Sequence, residues 1–168
     1  MKKSLIATTA GTGLTAIALA VAPIHAGSKN HEQAMGLELD IVAAATIATD
    51  STGARVIEAE FESKRDKLIW EIEMIDSDNR EIEVEVDINT GEIASEETEG
   101  KHRKDSTTDM DEVLSMDEAV NIVKGAAQGD VIEAELEGDD GQLIWELKLI
   151  GNDKGKYRVN ANSGELLQ

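Results

Sequence analysis

The sequence predicts an α+β protein of two repeats, each one helix packed on a three-stranded antiparallel sheet. Three observations predict it. Residues 56–75 and 131–150 align without a gap, with 11 of 20 positions identical, so the chain carries an internal duplication. In each copy a stretch of helical period precedes strands of period two. Each copy then closes on a related turn, "DINTGEI" at 87–93 and "NANSGEL" at 160–166, two residues closer in the second.

The first 26 residues stand apart from both copies. "MKK" is a basic start, "SLIATTAGTGLTAIALAVAP" is a weakly polar to apolar run without acid, and "IHA" puts a small residue before Gly27. That order predicts a cleavable secretory signal over residues 1–26. Gly11, Thr12, Gly13 and Thr15 dilute the run, whereas a spanning anchor needs roughly 20 solidly apolar residues. The expected location is the periplasm or the exterior, with no membrane insertion after cleavage.

Repeat 1 is read over residues 37–95. "LELDIVAAATIATD" places Leu39, Val42, Ala43 and Ile47 on one helical stripe, and "DSTG" closes it. Three strands follow. Ile57, Ala59 and Phe61 alternate with Glu58, Glu60 and Glu62; Leu68, Trp70, Ile72 and Met74 with Ile69, Glu71, Glu73 and Ile75; and Ile82, Val84, Val86 and Ile88 with Glu81, Glu83, Glu85 and Asp87. Such alternation predicts one dry face under the helix and one acidic face. Residues 96–114, almost free of apolar side chains, read as a polar linker.

Repeat 2 is read over residues 115–168. Ser115 with Glu118 forms a capping box, Met116, Ala119, Val120 and Val123 make the apolar stripe, and Gly129 ends the helix. Leu143, Trp145, Leu147 and Leu149 repeat the second strand of copy one. "SDNR" at 77–80 and "NDKG" at 152–155 supply hairpin turns, and the glycines of "NTGE" and "NSGE" supply φ > 0. Trp70 and Trp145, the chain's two tryptophans, fall on the dry face as the largest core pieces.

This order of elements resembles the PepSY domain, whose short signatures are matched by Val56–Glu62, Ile69–Ile72 and Asp87–Glu92 in copy one. In copy two they are matched by Val131–Glu137, Ile144–Leu147 and Asn160–Glu165, with Asn160 where copy one has Asp87. The resemblance implies an extracytoplasmic α+β module, found in the propeptides of thermolysin-type metallopeptidases and in free-standing secreted proteins. A role in restraining peptidases has been proposed for it. It brings no catalytic residues.

Composition narrows the function further. Without residues 1–26 the chain holds 35 acidic and 14 basic side chains, which disfavours nucleic acid and anionic membranes as partners. There is no cysteine, and the two remaining histidines, His31 and His102, lie in polar segments. No triad, phosphate loop or metal-ligating histidine pair is present, and glutamates alternating on an open face lack the burial that separates catalytic pKa values. The chain therefore reads as non-enzymatic and without a cofactor. "DSDNRE" at 76–81 and "DINTGE" at 87–92 gather oxygen ligands, but neither has the spacing of a calcium loop.

The acidic face of copy one is the candidate site: Glu58, Glu60, Glu62, Glu71, Glu73, Glu81, Glu83 and Glu85. Like charges opposite each other destabilise a sheet, and copy two relieves the same face with Lys148 and Arg158. Residues 37–95 hold 16 acids and 5 bases, residues 115–168 hold 11 and 5. Two causes fit: a basic protein or peptide partner drawn by that field, or a saline habitat that screens the repulsion. The expected function is protein or peptide binding, with a peptidase as the candidate partner. The rival is an acidic cation- or ligand-binding protein of the cell envelope.

Overall fold

The computed structural model describes residues 31–64, 67–102, 110–139 and 141–167; residues 1–26, read above as a signal, lie outside them. Two helices lie on one face of a single eight-stranded antiparallel sheet. The helices are α1 (Ile41–Thr52) and α2 (Met116–Ala126). Copy one supplies strands β1 (Arg55–Lys64), β2 (Lys67–Ile75), β3 (Arg80–Asp87) and β4 (Ile93–His102). Copy two supplies β5 (Asp130–Asp139), β6 (Gln142–Ile150), β7 (Gly155–Asn160) and β8 (Leu166–Leu167). The order across the sheet is β4-β3-β2-β1-β5-β6-β7-β8.

Each repeat thus has a fourth strand beyond the three that alternation predicts. β4 runs on to His102, through the first part of the segment read as linker 96–114. Its ladder partners are backbone groups of β3, with Glu97 opposite Glu83 and Glu99 opposite Glu81. An edge strand of this kind needs no apolar pattern, and its charges discourage further strand pairing. Near the other end of the linker, Met110–Glu112 forms a 3-10 turn and Val113 is buried.

The two copies join through β1 and β5, which pair antiparallel at Glu58–Glu135, Ala59–Ala134 and Glu60–Glu133. Ala134 is the counterpart of Ala59 at the repeat offset of 75. The seam is therefore a local two-fold axis, on which each strand meets its own duplicate. One continuous cluster of buried side chains spans both copies beneath α1 and α2.

Within the repeats, Trp70 and Trp145 are 1% and 0% exposed. Their indole N–H groups donate to Leu39 and Leu114 carbonyls at 3.0 and 2.9 Å, so each ties its strand to the residue before a helix cap. Phe61 meets Trp70 edge-on, with centroids 6.0 Å apart. Asp40 caps α1 by accepting from Ala43 N–H at 3.0 Å, which starts the helix at Ile41. The buried stripe is consequently Ile41, Ala44, Ala45 and Ala48, in place of Leu39, Val42, Ala43 and Ile47.

α2 follows its pattern more closely. Met116, Ala119, Val120 and Val123 are buried, and Glu118 accepts from Ser115 N–H at 2.8 Å. It ends at Ala126, before Gly129. The glycine serves packing instead: a Cβ there would lie 2.2 Å from the Ile150 carbonyl oxygen. Gly91 and Gly164 take φ of 69° and 74°, as their turns require.

Candidate functional site

The sheet face opposite the helices carries the glutamates, and the strand register sets them in rows. One row runs Glu97, Glu83, Glu73, Glu58, Glu135, Glu146 and ends at Arg158. The next runs Ser95, Glu85, Glu71, Glu60, Glu133 and ends in Lys148 and Lys156. Neighbouring strands lie about 4.8 Å apart, so six carboxylates span roughly 24 Å across the strands. Of the eight glutamates predicted from copy one, six fall in these rows. Glu62 pairs instead with Ile69, and Glu81 with Ile75 and Glu99.

Apart from the exposed Glu97 the carboxylates of the two rows are half-buried, and the charge state of four of them responds. The Glu58 carboxyl is pushed up to about 8, first by burial and then by Glu73, Glu135, Glu60 and Glu133. Burial and the Glu133, Glu62 and Glu71 charges raise Glu60 against the pull of Lys148. Glu83 rises through burial and Glu71, opposed by Lys64. Glu135 rises through burial and Glu137, Glu133 and Glu146, opposed by Lys156. The seam thus concentrates three of the four raised carboxyls among the described residues.

Cations meet the face at defined points. Lys64, at the end of β1, reaches back over it: its ammonium lies 3.0 Å from Glu62 and 3.1 Å from Glu85 and also pairs with Glu71. Against burial, which lowers it, these three carboxylates hold the ammonium above its usual range. Copy two places Lys148 at 2.9 Å from Glu133 and adds pairs of Lys156 with Glu146 and Arg158 with Asp139.

Sequence reasoning missed two features of the site. Lys64 sits at a strand end, where period two no longer says which way a side chain turns. Glu133 and Glu135 complete the site from copy two, because β5 lies beside β1; their being the counterparts of Glu58 and Glu60 was the available signal. Ile69, which alternation already sets with Glu71 and Glu73, and its counterpart Ile144 are 2% and 3% exposed and put an apolar side chain on the acidic face of each copy.

The oxygen-rich loops are occupied by turn chemistry. The Asp76 carboxylate accepts from Asp78 and Arg80 amides, each at 2.9 Å, and pairs with the Arg80 guanidinium at 2.7 Å. Asp87 accepts from Asn89 and Thr90 amides, and Asn160 accepts from Asn162 and Ser163 in the same way. On the face itself Glu71, Glu83 and Glu85 each offer an oxygen within 4.8 Å of the others, and Lys64 already pairs with two of them.

A duplicated helix-and-meander unit with an identical tryptophan tie in both copies is matched by one family model, the peptidase propeptide and YPEB domain, over residues 40–97 and again over 113–167. The chain belongs to the PepSY family. Among solved structures it is similar to a "putative lipoprotein" from Clostridium difficile 630, at 22% identity over 79% of this chain and 92% of that one, with a TM-score of 0.46. It is also similar to the YpmB protein from Bacillus subtilis, at 18% identity over 84% and 96% of the two chains, with a TM-score of 0.35. No curated protein matches the chain.

Proposed function

We propose that this tandem PepSY protein is an exported, non-enzymatic binding protein whose glutamate face docks a basic segment of another protein, a secreted peptidase being the leading candidate. Lys64 carries this reading. Three glutamates of the face hold its ammonium within hydrogen-bonding reach, and a partner's lysine or arginine needs the same surroundings. The two rows extend that chemistry over both repeats, giving a field able to steer and orient a basic surface. The leader at residues 1–26 and the peptidase-propeptide character of the family support the location and the partner class.

The test is binding of a secreted thermolysin-type peptidase to the wild type and to a Glu58/Glu60/Glu71/Glu73→Gln variant, with peptidase activity followed in parallel. The variant is expected to associate roughly ten-fold or more slowly, with the wild-type rate falling steeply as salt rises. Equal rates for the two proteins would remove the face from the contact. The cation-binding rival has the Glu71, Glu83 and Glu85 cluster in its favour. It predicts stoichiometric calcium heat at micromolar concentration, whereas the docking reading expects none.

A further inference from the structure

The ladder that joins the two repeats also fixes the spacing of their glutamates. Glu58 lies directly opposite Glu135 across the seam and opposite Glu73 on its other side, and Glu135 lies opposite Glu146. Glu60 and Glu133 make the second pair of the seam. Residues placed in this way have Cβ atoms about 4.5–5.5 Å apart. Because each strand meets its own duplicate, acid meets acid here, and the backbone bonds of the ladder keep the pair from drawing apart.

The cations of the face serve other carboxylates. Lys64 pairs with Glu62, Glu71 and Glu85, Lys148 with Glu133, Lys156 with Glu146, and Arg158 with Asp139. Glu58 and Glu135 thus stand side by side in mid-row with no ion-pair partner among the described residues. The groups facing Glu58 are Glu60 on its own strand, Glu73 on β2, and Glu133 and Glu135 on β5. Those facing Glu135 are Glu133 and Glu137 on its own strand, Glu146 on β6, and Lys156 on β7. Beyond them come Glu83 on β3 and Lys148 on β6, while both helices lie on the opposite face of the sheet. Neighbouring carboxylates held together without a cation do not all ionise. Burial and these charges accordingly push Glu58 up to about 8 and raise Glu135 as well.

A cation set down on the seam reverses this balance, because an opposite charge at hydrogen-bonding distance favours the ionised carboxylate. Lys64 shows the face holding one ammonium among three glutamates. Resting on the reading of the glutamate face as a docking surface, we propose that docking of a basic segment is coupled to release of a proton from the Glu58–Glu135 pair, so that the face grips its partner in neutral to mildly alkaline medium and lets go in acid. The proton leaves to the solvent buffer, and the partner's lysine or arginine keeps its own. A group that holds a proton in the free face and gives it up in the complex makes affinity rise with pH. For Glu58 the rise falls between the ordinary value of 4.5 and about 8 and levels off above it.

The probe is acetyl-tetralysine amide, whose charge stays nearly constant to about pH 9 because lysine titrates near 10.4. It is titrated calorimetrically into the full chain at pH 7 in phosphate and in Tris, which take up a proton with different heats, and then at pH 6 and pH 9. The expected result is a buffer-dependent heat equivalent to about one proton released per peptide, with binding roughly ten-fold or more tighter at pH 9 than at pH 6. Glu58→Gln is expected to bind at pH 9 and to lose most of the proton release and of the pH dependence. Glu135→Gln, on the other side of the pair, is expected to lower the release too, which keeps the test open if Glu58→Gln does not fold. Binding with equal affinity at both pH values and no buffer-dependent heat overturns this inference and leaves the docking reading standing. Undiminished release from Glu58→Gln also overturns it, assigning the proton to a histidine, His31 or His102. No binding at pH 9 removes the docking reading itself, and the coupling with it.

Discussion

Trp70 and Trp145 hold equivalent places, each fully buried and each bonded through its indole N–H to a carbonyl two residues upstream of a helix. Truncating either to alanine removes a large buried surface and leaves a carbonyl without its donor, so each is expected to cost about 3–5 kcal/mol in denaturant unfolding. Phenylalanine should recover much of the packing but not the bond. Glu58 acts in the opposite sense. Its folded carboxyl titrates near 8 against an ordinary value of 4.5, so the native state holds a proton that the unfolded state releases. That contribution is complete below about pH 4.5 and is lost as pH rises through about 8. Thermal unfolding should therefore occur at lower temperature at pH 9 than at pH 6, and Glu58→Gln should flatten the dependence over that window. An unchanged slope in the variant would show that other groups carry it.

At the level of elements, legibility in the sequence followed the source of each element's stability. α2 was readable because its cap and its apolar stripe are written locally, in Ser115, Glu118 and the spacing from Met116 to Val123. Replacing Ser115 with alanine should cost about 0.5–2 kcal/mol in unfolding free energy, with little change at α1. α1 was misphased by its alanines: with Ala43, Ala44 and Ala45 in succession, composition does not mark the buried side, and the cap at Asp40 decides it. β1 and β5 alternate as read, except that a bulge at Ile57 and again at Ile132 lets two successive residues face inward. β4 left no trace, since an edge strand held by backbone bonds can be wholly polar. The candidate face was legible in parity, but Lys64 was not, because its reach depends on a side chain curling back from the strand end.

For the whole molecule, the decisive feature is that an acidic strand is paired with its own duplicate. A local two-fold at Ala59–Ala134 must set Glu58 against Glu135 and Glu60 against Glu133; a like-charged pair of this kind costs on the order of 0.2–1 kcal/mol, and at Glu58 that cost is met by keeping a proton until about pH 8. The duplication was visible in the sequence. The joint was not, because three residue pairs, with only Ala59–Ala134 on the dry side, carry no signature of their own. Glu135→Lys puts a cation beside Glu58 and Glu146 in the register. At pH 9, where Glu58 is ionised in the wild type, it should raise unfolding free energy by about 0.5–1 kcal/mol at low salt, and added salt should narrow that gain by screening the wild-type repulsion. The two explanations of the acidity then part. If the rows recognise a basic partner, the stabilised variant binds it several-fold more weakly, and the repulsion is the cost of keeping the face attractive. If the variant gains stability and binds the peptidase as well as the wild type does, the rows serve solvation in a saline medium, and the docking surface lies elsewhere on the molecule.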